Sequence, residues 1–278
     1  MKATIATLAT TIALTLAGTA AAQDGWRTID PANLLVIDTN KGRVVVELEP
    51  RVAPAHVVRI RTLADGGFYD GLVFHRVIPG FMAQTGDPTG TGGGDSDLPD
   101  LKAELTFRRG ADSGFVPVPA AGANVGLFGS LPIATQPDAQ MMFTVDRSVP
   151  ANGLFCPGVV GMARSGTVDS ANSQFFLMTG RADSLNALYT PFGRILSGHS
   201  VVTSIKPGSD RDDGRVLGEP DRMTRVRTAA ALPAGERPSA RVMTPENPGY
   251  MAAIEAARTA RGPQFQACDL MPPAEVTP

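Results

Sequence analysis

The run Phe74-His75-Arg76-Val77-Ile78-Pro79-Gly80-Phe81-Met82-Ala83-Gln84-Thr85-Gly86-Asp87 constrains the fold more than any other stretch of this chain. Apolar and polar side chains alternate at the two-residue period of a half-buried strand, break at Pro79-Gly80, and resume. Two strands around a tight turn let one arginine, one glutamine and two large apolar groups converge on a single surface. Such a surface suits a ligand that is part apolar and part amide.

The flanking segments place this hairpin in a larger sheet. Residues 33–38 and 42–49 read as strands joined by the turn Thr39-Asn40-Lys41-Gly42. Ala53 to Gly66 switches to helical period, with Val57, Ile60, Leu63 and Ala64 on one face and Pro54 in the first turn. Strand, strand, amphipathic helix, strand opens an α+β or capped-barrel fold rather than a parallel βαβ repeat. Further on, residues 159–163, 174–178, 191–195 and 223–232 read as strands and 199–205 as a short helix, after an irregular lead-in over 24–31. The 30 glycines and 23 prolines imply many turns and few long helices.

Several function classes are disfavoured. A net charge of -2 with no basic block argues against nucleic-acid tracking, which needs clustered Lys and Arg. The loop Pro88 to Gly94 has the glycines of a phosphate cradle but no Gly-Lys-Ser/Thr, so it reads as a flexible loop beside a cleft. His56, His75 and His199 form no ligand cluster, and no metal is expected. His75 should point away from Arg76, as a structural histidine with a hydrogen-bonded ring.

The N-terminus reads as an export signal. Lys2, the apolar stretch Ile5 to Leu16 and Ala20-Ala21-Ala22 make residues 1–22 a cleavable signal peptide, whose apolar stretch is shorter than the ~20 residues needed to span a bilayer. The mature chain is expected to be periplasmic or secreted, monomeric and without membrane insertion. Cys156 and Cys268 share no metal-ligand spacing. In an oxidising space they either pair, worth on the order of 4–5 kcal/mol by loop entropy, or stay two buried thiols.

Three stretches carry a family resemblance. FHRVIPGFMAQTGDPTGTGGG, GMARSGTVDSANSQFFLMTG and LNALYTPFGRI, in that order, resemble cyclophilin-type peptidyl-prolyl cis-trans isomerases, in particular the bacterial branch, and the likeness spans most of residues 30–232. It implies a mainly β fold: a closed eight-stranded antiparallel barrel capped by two helices, occupying residues 23–232. Outside the family pattern lie a long insertion at about 95–157 and a C-terminal extension over 233–278, with a short helix at 250–261 carrying a stripe of Met251, Ile254 and Ala257.

The resemblance also implies the site. Arg76 falls at the catalytic position, and Phe81, Met82, Gln84, Gly90, Ala163, Arg164, Gln174, Phe176, Leu185 and Tyr189 at substrate-binding positions, with Gly90 on the loop bordering the groove. Proline-containing polypeptides are the implied partners, and no cofactor is implied. The side chains agree with that chemistry, because an arginine can favour a twisted prolyl amide and apolar groups can bury the ring. Alternatives are a proline-peptide binding module or holdase with little turnover, and a barrel used as an assembly scaffold.

Three positions depart from the better-known eukaryotic pattern. Tyr189 replaces a groove histidine, Arg164 replaces a frequent Asn and could set a charge preference at the rim, and Ser184 replaces a tryptophan associated with tight cyclosporin binding. The insertion is too long for an idle connection; it shapes the groove, binds a partner or packs as decoration.

Overall fold

The computed structural model describes residues 25–270 and 273–278, so the signal peptide expected over residues 1–22 lies outside the described residues. Strands β1 (Leu34–Thr39) and β2 (Gly42–Leu48) form a hairpin whose turn is fixed by Thr39 Oγ1 donating to Gly42 O at 2.8 Å. Both read as continuous apolar runs because both of their faces are covered. Leu35, Ile37, Val44, Val46 and Leu48 enter the main core, whereas Leu34, Val36 and Val45 pack on Ile29, Ala240 and Val242 outside it. That outer cover is a small antiparallel sheet of Trp26–Thr28, Ser239–Met243 and Ala274–Thr277. The lead-in expected to be irregular is therefore partly a strand, recruited by residues over two hundred positions away.

Strands β3 (Arg76–Ile78), β4 (Met82–Thr85), β5 (Val159–Met162), β6 (Phe175–Met178), β7 (Pro191–Ser197) and β8 (Met223–Thr228) complete an eight-stranded antiparallel sheet. Its order is β8-β1-β2-β7-β5-β6-β4-β3. The fold is mainly β as expected, but the outer strands β8 and β3 share no ladder. The curled sheet's seam is crossed beside them, by a single Val73↔Arg222 bridge with Phe74 N donating to Asp221 O and Met223 N to Leu72 O, both at 2.9 Å. β8 also stops short of the expected residue 232. Thr228 Oγ1 accepts from Ala231 N at 3.3 Å and draws Ala229–Ala231 into one helical turn.

Helix α1 (Pro54–Asp65) sends Val57, Ile60, Leu63 and Ala64 into the main core. Ala53 before it offers no cap. Instead Glu104, from the insertion, accepts from the amides of Ala55 (3.2 Å) and His56 (3.1 Å), placing a carboxylate at the helix N-terminus, where the backbone dipole favours it. Helix α2 (His199–Thr203) is two residues shorter than expected. No described helix is long and apolar enough to cross a membrane.

The insertion folds as a five-stranded antiparallel sheet built from Phe107–Gly110, Phe115–Pro117, Val125–Phe128, Leu131–Thr135 and Ser148–Gly153. Its Phe107, Phe128, Leu131, Ile133 and Phe155 share one core with Met82, Val159, Phe176 and Met178 of the large sheet. It is thus continuous with the strands that carry the candidate site.

The C-terminal extension docks on the insertion through α3 (Gly249–Arg261), whose Tyr250 packs with Val118, Leu127, Phe265 and Leu270. The packed stripe is buried Tyr250 with half-buried Ile254 and Ala257; Met251, expected on it, is 66% exposed. Two links tie the extension to the insertion and the large sheet. Cys156 and Cys268 form a disulfide with Cα atoms 4.9 Å apart. Arg194 of β7, only 1% exposed, donates to Ser130 O in the insertion and to Leu270 O in the extension, both at 2.8 Å. Burial lowers its pKa to about 10, against the pull of nearby Glu47, so it stays a cation at neutral pH.

Candidate active site

Gly80, at a positive φ of 70°, makes the turn between β3 and β4 that an L side chain would strain. The resulting register sets Arg76 opposite Gln84 and Ile78 opposite Met82. On the other side of β4, Phe176 stands opposite Gln84 and Met178 opposite Met82. Residues directly opposite one another share a face, so Arg76, Gln84 and Phe176 form a row on the outside of the sheet. Val77, Ala83, Phe175 and Leu177 fill the core beneath.

That row borders a cavity of about 180 Å³ lined by Arg76, Phe81, Met82, Gln84, Ala163, Arg164, Phe176, Leu185 and Tyr189. Of the residues expected at the site, only Gly90 and Gln174 lie off its wall. Its floor is aromatic: Phe176 lies 5.9 Å from Tyr189, edge to face, and 5.7 Å from Phe155 behind it. Gly161 of β5 permits this stacking, because a Cβ there would come within 2.5 Å of the Phe155 ring and 2.8 Å of Phe176. Cys156 belongs to the same apolar cluster as Phe155 and Phe176, and Cys268 packs against it.

A chain of amide hydrogen bonds holds the polar side. Arg76 Nη1 donates to Gln84 Oε1 (3.3 Å), Gln84 Nε2 to Gln174 Oε1 (3.0 Å), and Gln174 Nε2 to the carbonyls of Gly92 (3.1 Å) and Gly94 (2.9 Å). Each amide orients the next, so the oxygen of Gln84 faces the guanidinium. Gln174 thereby links the first cavity to a neighbouring one of about 240 Å³, lined also by Gly92, Gly93, Asp95 and Ser165. Gly90, expected to border the groove, instead sits against Val73, and Gly92 and Gly93 supply the wall.

Asp87 keeps that glycine loop in place. Its carboxylate, 1% exposed, accepts from Thr89 N (2.7 Å), Thr89 Oγ1 (2.8 Å), Thr91 N (2.9 Å) and Gly92 N (2.5 Å). Burial alone would raise its pKa, but bonds from Thr89, Gly94 and Gly92 outweigh it and hold the carboxyl below its ordinary range.

Arg164 does not project freely from the rim. Its guanidinium lies 4.5 Å above the Tyr189 ring centroid and donates to Leu188 O and Ser165 O. The edge of Arg76 away from Gln84 meets a residue that sequence reasoning missed. Nε donates to Asp213 O at 2.8 Å and Nη2 to Asp213 Oδ1 at 3.0 Å. The Asp-Asp-Gly at 212–214 signals a turn, but nothing local pairs it with a strand 137 residues earlier.

His75 points away from the cavity, as expected, yet its ring is not hydrogen-bonded. At 6% exposure, neither ring nitrogen has a partner among the described residues, and Gly92 of the glycine loop lies against the ring. Burial lowers its pKa, with Asp87 opposing and Arg76 assisting; burial likewise lowers that of His56, against its Glu104 partner. Two histidines held below 6.5 bind protons more weakly folded than unfolded, so stability is present above that value and drains as pH falls through their folded pKa values. The urea midpoint should decline from neutral pH to about pH 5, and His75→Phe should flatten part of the decline. An unchanged slope would remove His75 from that account. No cluster able to hold a metal occurs among the described residues.

The chain is similar to known proteins over this whole region. The model of the family described as cyclophilin type peptidyl-prolyl cis-trans isomerase/CLD matches residues 34–228. A Brucella suis protein described as a probable peptidyl-prolyl cis-trans isomerase is 38% identical over 197 residues, covering 71% of this chain and 83% of that protein. The Neurospora crassa peptidyl-prolyl isomerase cwc-27 is 34% identical over 182 residues, 64% of this chain but 30% of that longer protein. The crystal structure of the cyclophilin AquaCyp293 from Hirschia baltica superposes with a TM-score of 0.80 at 34% identity, covering 90% of this chain and 93% of the other.

Proposed function

The chain belongs to the family of cyclophilin-type peptidyl-prolyl cis-trans isomerases, and from that premise we propose that it accelerates X-Pro isomerisation in exported proteins, with Arg76 stabilising the twisted amide. The observation that carries this reading is a guanidinium, braced by Gln84, at the mouth of an apolar cavity formed by Phe81, Met82, Phe176 and Leu185.

Amide resonance gives the X-Pro bond a barrier of about 18–20 kcal/mol, and a catalyst must bind the twisted form better than either planar one. In the twisted form the prolyl nitrogen regains its lone pair and becomes an acceptor. A charged donor fixed beside it then stabilises the transition state more than the ground state. The cavity buries the pyrrolidine ring while the acyl side turns in the open groove. Gln84 keeps a second amide N–H beyond its bond to Gln174 and can offer it to the substrate backbone. A millionfold acceleration needs roughly 8 kcal/mol of such differential stabilisation.

The client class rests on other observations. Residues 1–22 read as a signal peptide, and the Cys156–Cys268 disulfide suits an oxidising compartment such as a periplasm. Fractionation of cells expressing the full chain tests this, and retention of unprocessed protein in the cytosol would sink it.

A protease-coupled X-Pro peptide assay on residues 23–278 tests the activity. Catalysed turnover is expected; peptide binding without turnover would leave a binding module, and neither would leave a scaffold. Cyclosporin should inhibit weakly, because Ser184 beside Leu185 of the cavity wall offers no indole. Losing one large aromatic anchor costs about a hundredfold in affinity, and a nanomolar inhibition constant would refute the assignment of that position.

A further inference from the structure

We propose that Asp213 is a positioning residue for the isomerisation, holding the Arg76 guanidinium by one edge so that Nη1 faces the cavity; this rests on the isomerase reading above. A guanidinium has five N–H donors, one on Nε and two on each Nη. Asp213 engages two of its nitrogens, its carbonyl taking Nε at 2.8 Å and its carboxylate taking Nη2 at 3.0 Å. The third, Nη1, lies toward the cavity, 3.3 Å from Gln84 Oε1 and 3.9 Å from Met82 Sδ. Without Asp213, the 3.3 Å contact to Gln84 would be the only strong restraint on a long, partly exposed side chain. A forked contact fixes the plane of the group as well as its place.

Asp213 can serve as a fixed support because its backbone is locked to β3 on both sides of Arg76. Val77 N donates to Gly214 O (2.7 Å), Val216 N to His75 O (3.0 Å) and Gly208 N to Val77 O (2.9 Å), while Gly214 N closes the turn on Ser209 O (2.9 Å). Asp213 itself takes a left-handed φ of 51° there, a conformation Asp and Asn tolerate better than most residues. That conformation turns its carbonyl and its carboxylate toward the same guanidinium.

The pair orients Arg76 without cancelling its charge. The Asp213 side chain is 82% exposed, so solvent and salt screen its field. The electrostatic pull on the prolyl nitrogen is left to Arg76, and what Asp213 supplies is direction.

The test compares Asp213→Gly, which accepts the positive φ and removes the carboxylate, with Asp213→Asn, which keeps a neutral acceptor. In the X-Pro assay, Asp213→Gly should lower kcat about fivefold to tenfold, the effect of losing one charge-assisted contact, with KM within about twofold. Asp213→Asn should retain most of the activity. In an Arg76→Ala background, read at enzyme concentrations high enough to measure the residual rate, Asp213→Gly should change nothing further. Equal losses in both backgrounds would mean a merely structural role and overturn the proposal. So would full activity of Asp213→Gly while Arg76→Ala is impaired, a result that leaves the isomerase reading intact. Absence of turnover in the wild type would overturn both.

Discussion

Replacing Arg76 by alanine is expected to lower kcat/KM on an X-Pro peptide by about a hundred- to a thousandfold, the range seen when one preorganised donor to a developing charge is lost. The loss should fall on kcat. The apolar wall of Phe81, Met82, Phe176 and Leu185 is untouched by the substitution, so the affinity for a proline peptide should change little. Arg76→Lys keeps a cation on a similar stem but cannot reach Gln84 Oε1, Asp213 O and Asp213 Oδ1 together. It should fall between the two. Peptide titration calorimetry alongside the rate assay separates the terms, and an Arg76→Ala enzyme within about threefold of wild type would remove Arg76 from the mechanism.

Removing the disulfide, as Cys156→Ala with Cys268→Ala, should remove a large share of the stability of the fold. The two cysteines are 112 residues apart, and releasing a loop of that size gives the unfolded chain on the order of 4–5 kcal/mol of entropy. For a chain of this length that corresponds to a fall in Tm of roughly 10–15 °C. The site should feel it too, because Cys156 is fully buried in the cluster that includes Phe155 and Phe176 behind the cavity. Melting curves with and without reductant check the first point, and peptide affinity near the lowered Tm checks the second. An unaltered midpoint after complete reduction would count against any stabilising role of the bridge.

The hairpin of β3 and β4 was legible because its determinants are local. The alternation and Pro79-Gly80 together specify which residues share a face, and the register then sets Arg76 beside Gln84. The opposite wall at Phe176 was reachable only through motif resemblance, since pairing across ninety residues leaves no periodic trace. What stayed hidden was everything decided by distant packing. Asp213 meets Arg76 through a turn zipped onto β3 from far along the chain, and the strands of the insertion are short runs interrupted by Pro and Gly whose partners are non-local. His75 was misjudged for the same reason: alternation gave its direction, but only the fold shows that no acceptor lies there.

Buried Arg194 bears on the timing of folding. Its Nη1 and Nη2 donate to the carbonyls of residues 130 and 270, so a nascent chain that has emerged only through β7 carries a cation with one of those two bonds still unmade. Closing the sheet around it at that stage would bury the charge incompletely, at a cost of several kcal/mol. The strands around β7 therefore have reason to wait, loosely assembled, until residue 270 arrives.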